Sequence, residues 1–165
     1  MCIICRGDYD PNITYLDCSG CQRITEIPQL NLLTMLSCCD CPSLIYIPQL
    51  NQLTILDCLN CPLLNTLPQL NLLRILNCSD CISLINIPQS NLLTELYCDN
   101  CPSLVMLPQL IQLIDLECFK CPLLYVPYKL RQKFNIKPNY MINKIRYQQI
   151  KTKKKISNDD WINYT

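Results

Sequence analysis

Apolar and polar positions recur along this chain with a period of twenty residues, from about residue 13 to about residue 130. The second copy, residues 33–52, shows the unit most clearly. Around Met35-Leu36-Ser37-Cys38-Cys39 the alternation puts Leu36 and Cys38 on one side and Met35, Ser37 and Cys39 on the other, which is the two-residue period of a strand. Pro42 and Pro48 follow, and each excludes a ladder or helix interior, because proline has no amide hydrogen and a fixed φ. Between them Leu44 and Ile47 return apolar side chains to the same interior through an extended or 3₁₀-like stretch. The copies run 13–32, 33–52, 53–72, 73–92, 93–112 and 113 to about 130. One unit of this length buries its apolar side only against neighbours, so the predicted fold is a solenoid of short parallel strands. Strands pairing at about 4.8 Å make six such coils a rod roughly 29 Å long.

The cysteines change this picture only if they are chemistry. Twelve of the fifteen fall into two columns: Cys18, Cys38, Cys58, Cys78, Cys98 and Cys118, then Cys21, Cys41, Cys61, Cys81, Cys101 and Cys121 three residues behind. C-x-x-C is a metal-ligand spacing. A tetrahedral site, however, needs four sulfurs converging at about 2.3 Å from one ion, and parallel columns do not converge. Proline rather than glycine follows the second cysteine in four of the six copies, which leaves no tight knuckle. Both columns are therefore expected in the core, where a free cysteine is a small hydrophobe with a weak S–H donor. No metal, cofactor or catalytic residue is expected.

The unit fits L-x-x-L-x-L-x-x-N/C-x-L over about 115 residues and so resembles the leucine-rich repeat. In that pattern the first cysteine column takes the third leucine position and the second column the Asn/Cys position, where the chain turns inward against backbone groups. Ile47-Pro48-Gln49-Leu50-Asn51 with Leu53 and Leu56 is similar to the short twenty-residue subtype of bacterial effector proteins. Cys-x-x-Cys-Pro resembles leucine-rich-repeat proteins encoded by giant DNA viruses. The resemblance implies a recognition scaffold that binds a protein through the outward strand residues of a concave face. A viral origin implies the host cell cytoplasm. The effector likeness implies an array that selects substrates for a ubiquitin ligase, an activity that would have to be borrowed, since neither a ligase domain nor an F-box-like segment is evident.

The ends depart from the unit. Cys2-x-x-Cys5 with Pro11 reads as a truncated leading copy, so residues 1–12 form a partial repeat or cap. Pro88-Gln89-Ser90 interrupts the Leu50, Leu70, Leu110 series, and Tyr125-Val126-Pro127 brings the last proline one residue early. Residues 131–165 form a basic, partly helical C-terminal segment. There Leu130 and Phe134 stand four apart, Met141, Ile142, Ile145 and Gln149 predict an amphipathic helix over about 138–151, and Lys151-Thr152-Lys153-Lys154-Lys155 is a basic run. Asn158-Asp159-Asp160-Trp161 looks like a helix start.

Composition narrows the function classes. Half the chain is hydrophobic, yet no apolar run approaches the roughly 18 residues of a membrane span. Met1-Cys2-Ile3-Ile4-Cys5-Arg6 has no charged lead-in or cleavage site, so an intracellular compartment with reduced thiols is expected. Histidine is absent, which removes the commonest general base, and two glycines cannot build a phosphate loop. The reading is non-enzymatic. Net charge of +1 hides an asymmetry: residues 1–128 carry 4 basic and 11 acidic side chains (−7), residues 129–165 carry 10 and 2 (+8).

Recognition is expected at the outward strand positions. Coil by coil these are Tyr15/Asp17/Ser19, Met35/Ser37/Cys39, Ile55/Asp57/Leu59, Ile75/Asn77/Ser79, Glu95/Tyr97/Asp99 and Asp115/Glu117/Phe119. They vary while the interior repeats. Met35, Ile55, Leu59 and Ile75 predict an apolar patch; the last two coils set four carboxylates around Tyr97 and Phe119. Apolar and aromatic groups beside one sign of charge suit a protein or peptide with basic residues, bound by a monomer. The alternative is nucleic-acid binding through the basic segment, with Lys144, Arg146 and Tyr147 beside the lysine run tracking phosphates.

Overall fold

The computed structural model describes residues 2–136. Six three-residue strands form one parallel sheet in chain order: β1 (Tyr15–Asp17), β2 (Met35–Ser37), β3 (Ile55–Asp57), β4 (Ile75–Asn77), β5 (Glu95–Tyr97) and β6 (Asp115–Glu117). Pairing advances by one period at each step, Leu16 against Leu36, Leu36 against Leu56, and so to Leu96 against Leu116. The chain is a β-solenoid with coils of about twenty residues, as the period predicts. The central leucine of each strand points inward while its two neighbours point out. The returns are extended between tight turns, and isolated parallel bridges such as Glu26 with Tyr46 and Asn86 with Met106 join neighbouring ones.

Columns of identical residues build the interior. Leu33, Leu36, Cys38, Cys41, Leu44, Ile47 and Leu50 of the second coil are all buried, and the same positions of coils three to five are buried with few exceptions. A fully buried leucine contributes about 1.5–3 kcal/mol through removal of its surface from water. Ser90 enters the same wall in place of leucine and is satisfied there, its hydroxyl donating to the Leu73 carbonyl at 3.0 Å.

Each coil leaves the strand through one left-handed residue immediately before the second cysteine: Gly20 (φ 70°), Asp40 (53°), Asn60 (54°), Asp80 (60°), Asn100 (53°) and Lys120 (54°). Glycine, asparagine and aspartate tolerate this conformation best, so the column's composition follows from its backbone. The amides of the first five donate to the next coil, Asp40 to the Leu59 carbonyl and Asp80 to the Asp99 carbonyl, both at 2.8 Å. The far edge carries another ladder. Gln29 and Gln89 donate to the backbone carbonyls of Gln49 and Gln109 at 2.8 and 2.7 Å, while also reaching Asn31 and Asn91 within their own coils. Pro-Gln-x-Asn recurs because this one amide ties both its own turn and the next coil.

Two short helices stand at the ends. α1 (Ile3–Arg6) closes at Gly7 in the left-handed region, and Cys2, Ile3, Ile4, Cys5, Tyr9 and Ile13 pack against the first coil. The segment read as a partial repeat or cap contains this helical turn. At the other end α2 (Tyr128–Phe134) follows Pro127 and buries Leu130, beside buried Leu124 and Val126. It leaves the strand side less covered. Cys118 and Cys121, expected in the core, are only partly buried, as is Leu116, because among the described residues no further coil stacks on them. The helix predicted over 138–151 and the basic run at Lys151–Lys155 lie outside the described residues.

Candidate functional site

The second cysteine column has a defined task. Cys41 donates its S–H to the Cys18 carbonyl at 3.3 Å, Cys61 to Cys38 at 3.1 Å, Cys81 to Cys58 at 3.1 Å, Cys101 to Cys78 at 3.1 Å and Cys121 to Cys98 at 3.0 Å. The first-column cysteines from Cys18 to Cys98 send their amides forward, as Cys38 does to the Asp57 carbonyl at 2.8 Å. The thiol thus gives each of these carbonyls a donor, and the Cys78 carbonyl also accepts from the Cys81 amide at 3.3 Å; a buried carbonyl left without a donor costs about 1–3 kcal/mol. Contact with the thiols of Cys61, Cys81 and Cys121, together with burial, pushes Cys38, Cys58 and Cys98 well above the ordinary thiol range. These thiols stay protonated and inert.

The outward face divides into engaged and free side chains. Asp17 and Asp57 each turn one carboxylate oxygen onto the amide two residues ahead, Ser19 at 3.0 Å and Leu59 at 3.3 Å. The Ser19 amide and hydroxyl hold Asp17 below the usual carboxylate range. Asp99 accepts from the Phe119 amide at 2.6 Å. These three predicted recognition residues thus also brace turns and coil junctions. Cys39 is half-buried, and burial and nearby Asp57 push its thiol up to about 11, so its outward position does not make it reactive.

Tyr15, Met35 and Phe119 are exposed, at 54%, 38% and 70%, whereas Ile55, Leu59 and Ile75 are half-buried. The predicted apolar patch is therefore shallower than the sequence implies. Over the last two coils Tyr97 donates to Asp115 at 3.0 Å and to Glu95 at 3.2 Å, and these contacts with partial burial raise its phenol to about 12. Asp115, Glu117 and Phe119 stand exposed around it. The return side, which the periodicity did not single out, also exposes Ile45, Tyr46, Leu63, Ile82, Ile85 and Met106. Its signal was present in the sequence as apolar residues standing outside the Leu44/Ile47 phase.

The pair the repeat does not absorb lies at the first coil. Cys2, Cys5 and Cys21 bring their sulfurs within 4.8 Å of one another, and Cys5 and Cys21 stand 3.5 Å apart. Burial works to raise Cys21, but the amides of Arg23 and Cys2 and the two neighbouring thiols outweigh it and hold Cys21 at about 6. Cys5, bonded to Cys21 and close to Cys2, is pushed up to about 11. No family model, curated protein or solved structure matches the chain. Among the described residues no helix is long and apolar enough to cross a membrane.

Proposed function

We propose that this chain is a leucine-rich-repeat recognition protein without catalytic activity of its own, binding a basic, partly apolar segment of another protein on the outward face of β5 and β6. The observation that carries the reading is the cluster of Glu95, Asp115 and Glu117 around Tyr97, with Phe119 70% exposed beside it. The Tyr97 hydroxyl bridges Glu95 and Asp115, and an exposed aromatic next to them offers the apolar contact that interface centres favour. Inner columns repeat because packing fixes them; the outward residues are free of that constraint. The resemblance to repeat proteins of bacterial effectors and giant DNA viruses supports the same reading.

Display selection with the purified full chain tests it. Selected peptides should be rich in lysine or arginine flanking an apolar residue. Their affinity should fall at least tenfold in a Glu117→Lys/Phe119→Ala variant and weaken with salt. Binding unchanged by that variant would remove this face from the proposal.

A further inference from the structure

Five of the six second-column cysteines donate to the carbonyl of a first-column cysteine one coil earlier. Cys21 is in the first coil, and the place of an earlier coil is taken by the cap. There it meets Cys5 at 3.5 Å, with Cys2 completing a group whose sulfurs all lie within 4.8 Å of one another. We propose that Cys2, Cys5 and Cys21 form a three-thiolate site for a thiophilic d¹⁰ cation, zinc(II) or copper(I), which clamps the N-terminal cap onto the solenoid.

The geometry suits such an ion. Sulfurs about 2.3 Å from a common centre stand about 3.8 Å apart in a tetrahedron and about 4.0 Å apart in a trigonal plane, close to the separations here. Thiolates select zinc and copper(I) over hard cations. Cys2 and Cys5 come from one helical turn, and α1 is only four residues long, so the chain supplies little local stability of its own. A metal bond to Cys21 ties that turn to the rigid first coil. Coordination exchanges up to three S–H protons, released to solvent, for three sulfur–metal bonds with no change of oxidation state. The remaining ladder differs in kind, because its sulfurs are committed one by one to carbonyls and do not converge.

The test uses the full chain without a polyhistidine tag, purified reduced and under nitrogen. It is titrated separately with zinc(II) and copper(I), with metal content measured after dialysis. One equivalent per chain of either ion should be retained, and its binding should shield three thiols from alkylation, mapped by mass spectrometry to Cys2, Cys5 and Cys21. A Cys2→Ser/Cys5→Ser variant, altered only in the cap and retaining its circular dichroism spectrum, should lose at least a hundredfold in affinity; Cys39→Ser should lose nothing. Absence of a stoichiometric ion, or an ion that survives Cys2→Ser/Cys5→Ser, would each overturn the site.

Discussion

The middle of the solenoid and its last coil contain the same residue types and treat them differently. In β3 and β4 the inward leucines and both cysteines of the coil are fully enclosed, with a coil on either side. In the last coil Leu116, Cys118 and Cys121 occupy equivalent positions and remain partly exposed, since among the described residues a coil stacks on them from one side only. The comparison separates what a residue is from what its neighbours make of it. In a quasi-one-dimensional stack, stability is the sum of what each coil contributes and what each interface adds.

Leucine truncation probes that difference most strongly. Leu56→Ala empties a site closed on all sides and should cost about 3 kcal/mol; Leu116→Ala, with room to relax toward solvent, should cost about half as much. Urea denaturation of the two variants measures the gap. Equal losses would mean that the last coil is as tightly enclosed as the middle ones. The cysteine column offers a finer probe. Cys61→Ala leaves the buried Cys38 carbonyl without its donor and should cost about 1–3 kcal/mol, while Cys61→Ser retains a donor and should recover part of this. In metal-free protein, Cys21→Ala removes no such bond and should cost less than Cys61→Ala. A larger loss at Cys21 would show that packing, not carbonyl satisfaction, is what the column supplies.

The left-handed column sharpens the contrast between middle and end. Asn60 sits at φ 54° and pairs its side-chain amide with Asp40 at 2.7 Å; Lys120 holds the same φ with a side chain that bears the Cβ penalty in full. Lys120→Gly should therefore stabilise the chain by about 1 kcal/mol, and Asn60→Gly should be neutral or slightly destabilising. Thermal melting of both variants checks the sign, and a destabilised Lys120→Gly would indicate that this side chain makes a compensating contact.

How much was legible in the sequence follows the same division. Period, strand phase and the inward cysteines could be read because every coil repeats them, and repetition of Leu36 and Cys38 leaves one arrangement that buries them all. The left-handed positions were equally readable in principle, as Gly20, Asp40, Asn60, Asp80 and Asn100 form a column of the residues that conformation favours. What escaped was anything that happens once. The meeting of Cys5 and Cys21 depends on a helical turn folding back over sixteen residues, and no spacing rule encodes it. The partial exposure of Cys118 and Cys121 depends on what α2 fails to cover, which is a property of packing rather than of the repeat. On the outward face the sequence identified which residues point out, but not that Asp17, Asp57 and Asp99 are partly spent on backbone amides.

The smallest expected effect is on the outside, where Tyr97 joins the last two coils. Its hydroxyl donates to Asp115 and Glu95, and these bonds raise the phenol from the ordinary value near 10 to about 12. The folded chain therefore holds this proton more tightly than the unfolded one. The contribution is complete below pH 10, declines as the pH rises above it, and is gone once the pH passes about 12. Tyr97→Phe removes both bonds, so the difference in stability between the two proteins should be largest at neutral pH and should vanish at strongly alkaline pH. Denaturation of both across pH 8–12 measures it. A difference that stays constant with pH would mean that Tyr97 acts through its ring, by packing beside β6, and that the carboxylates around it stand in place without its hydroxyl.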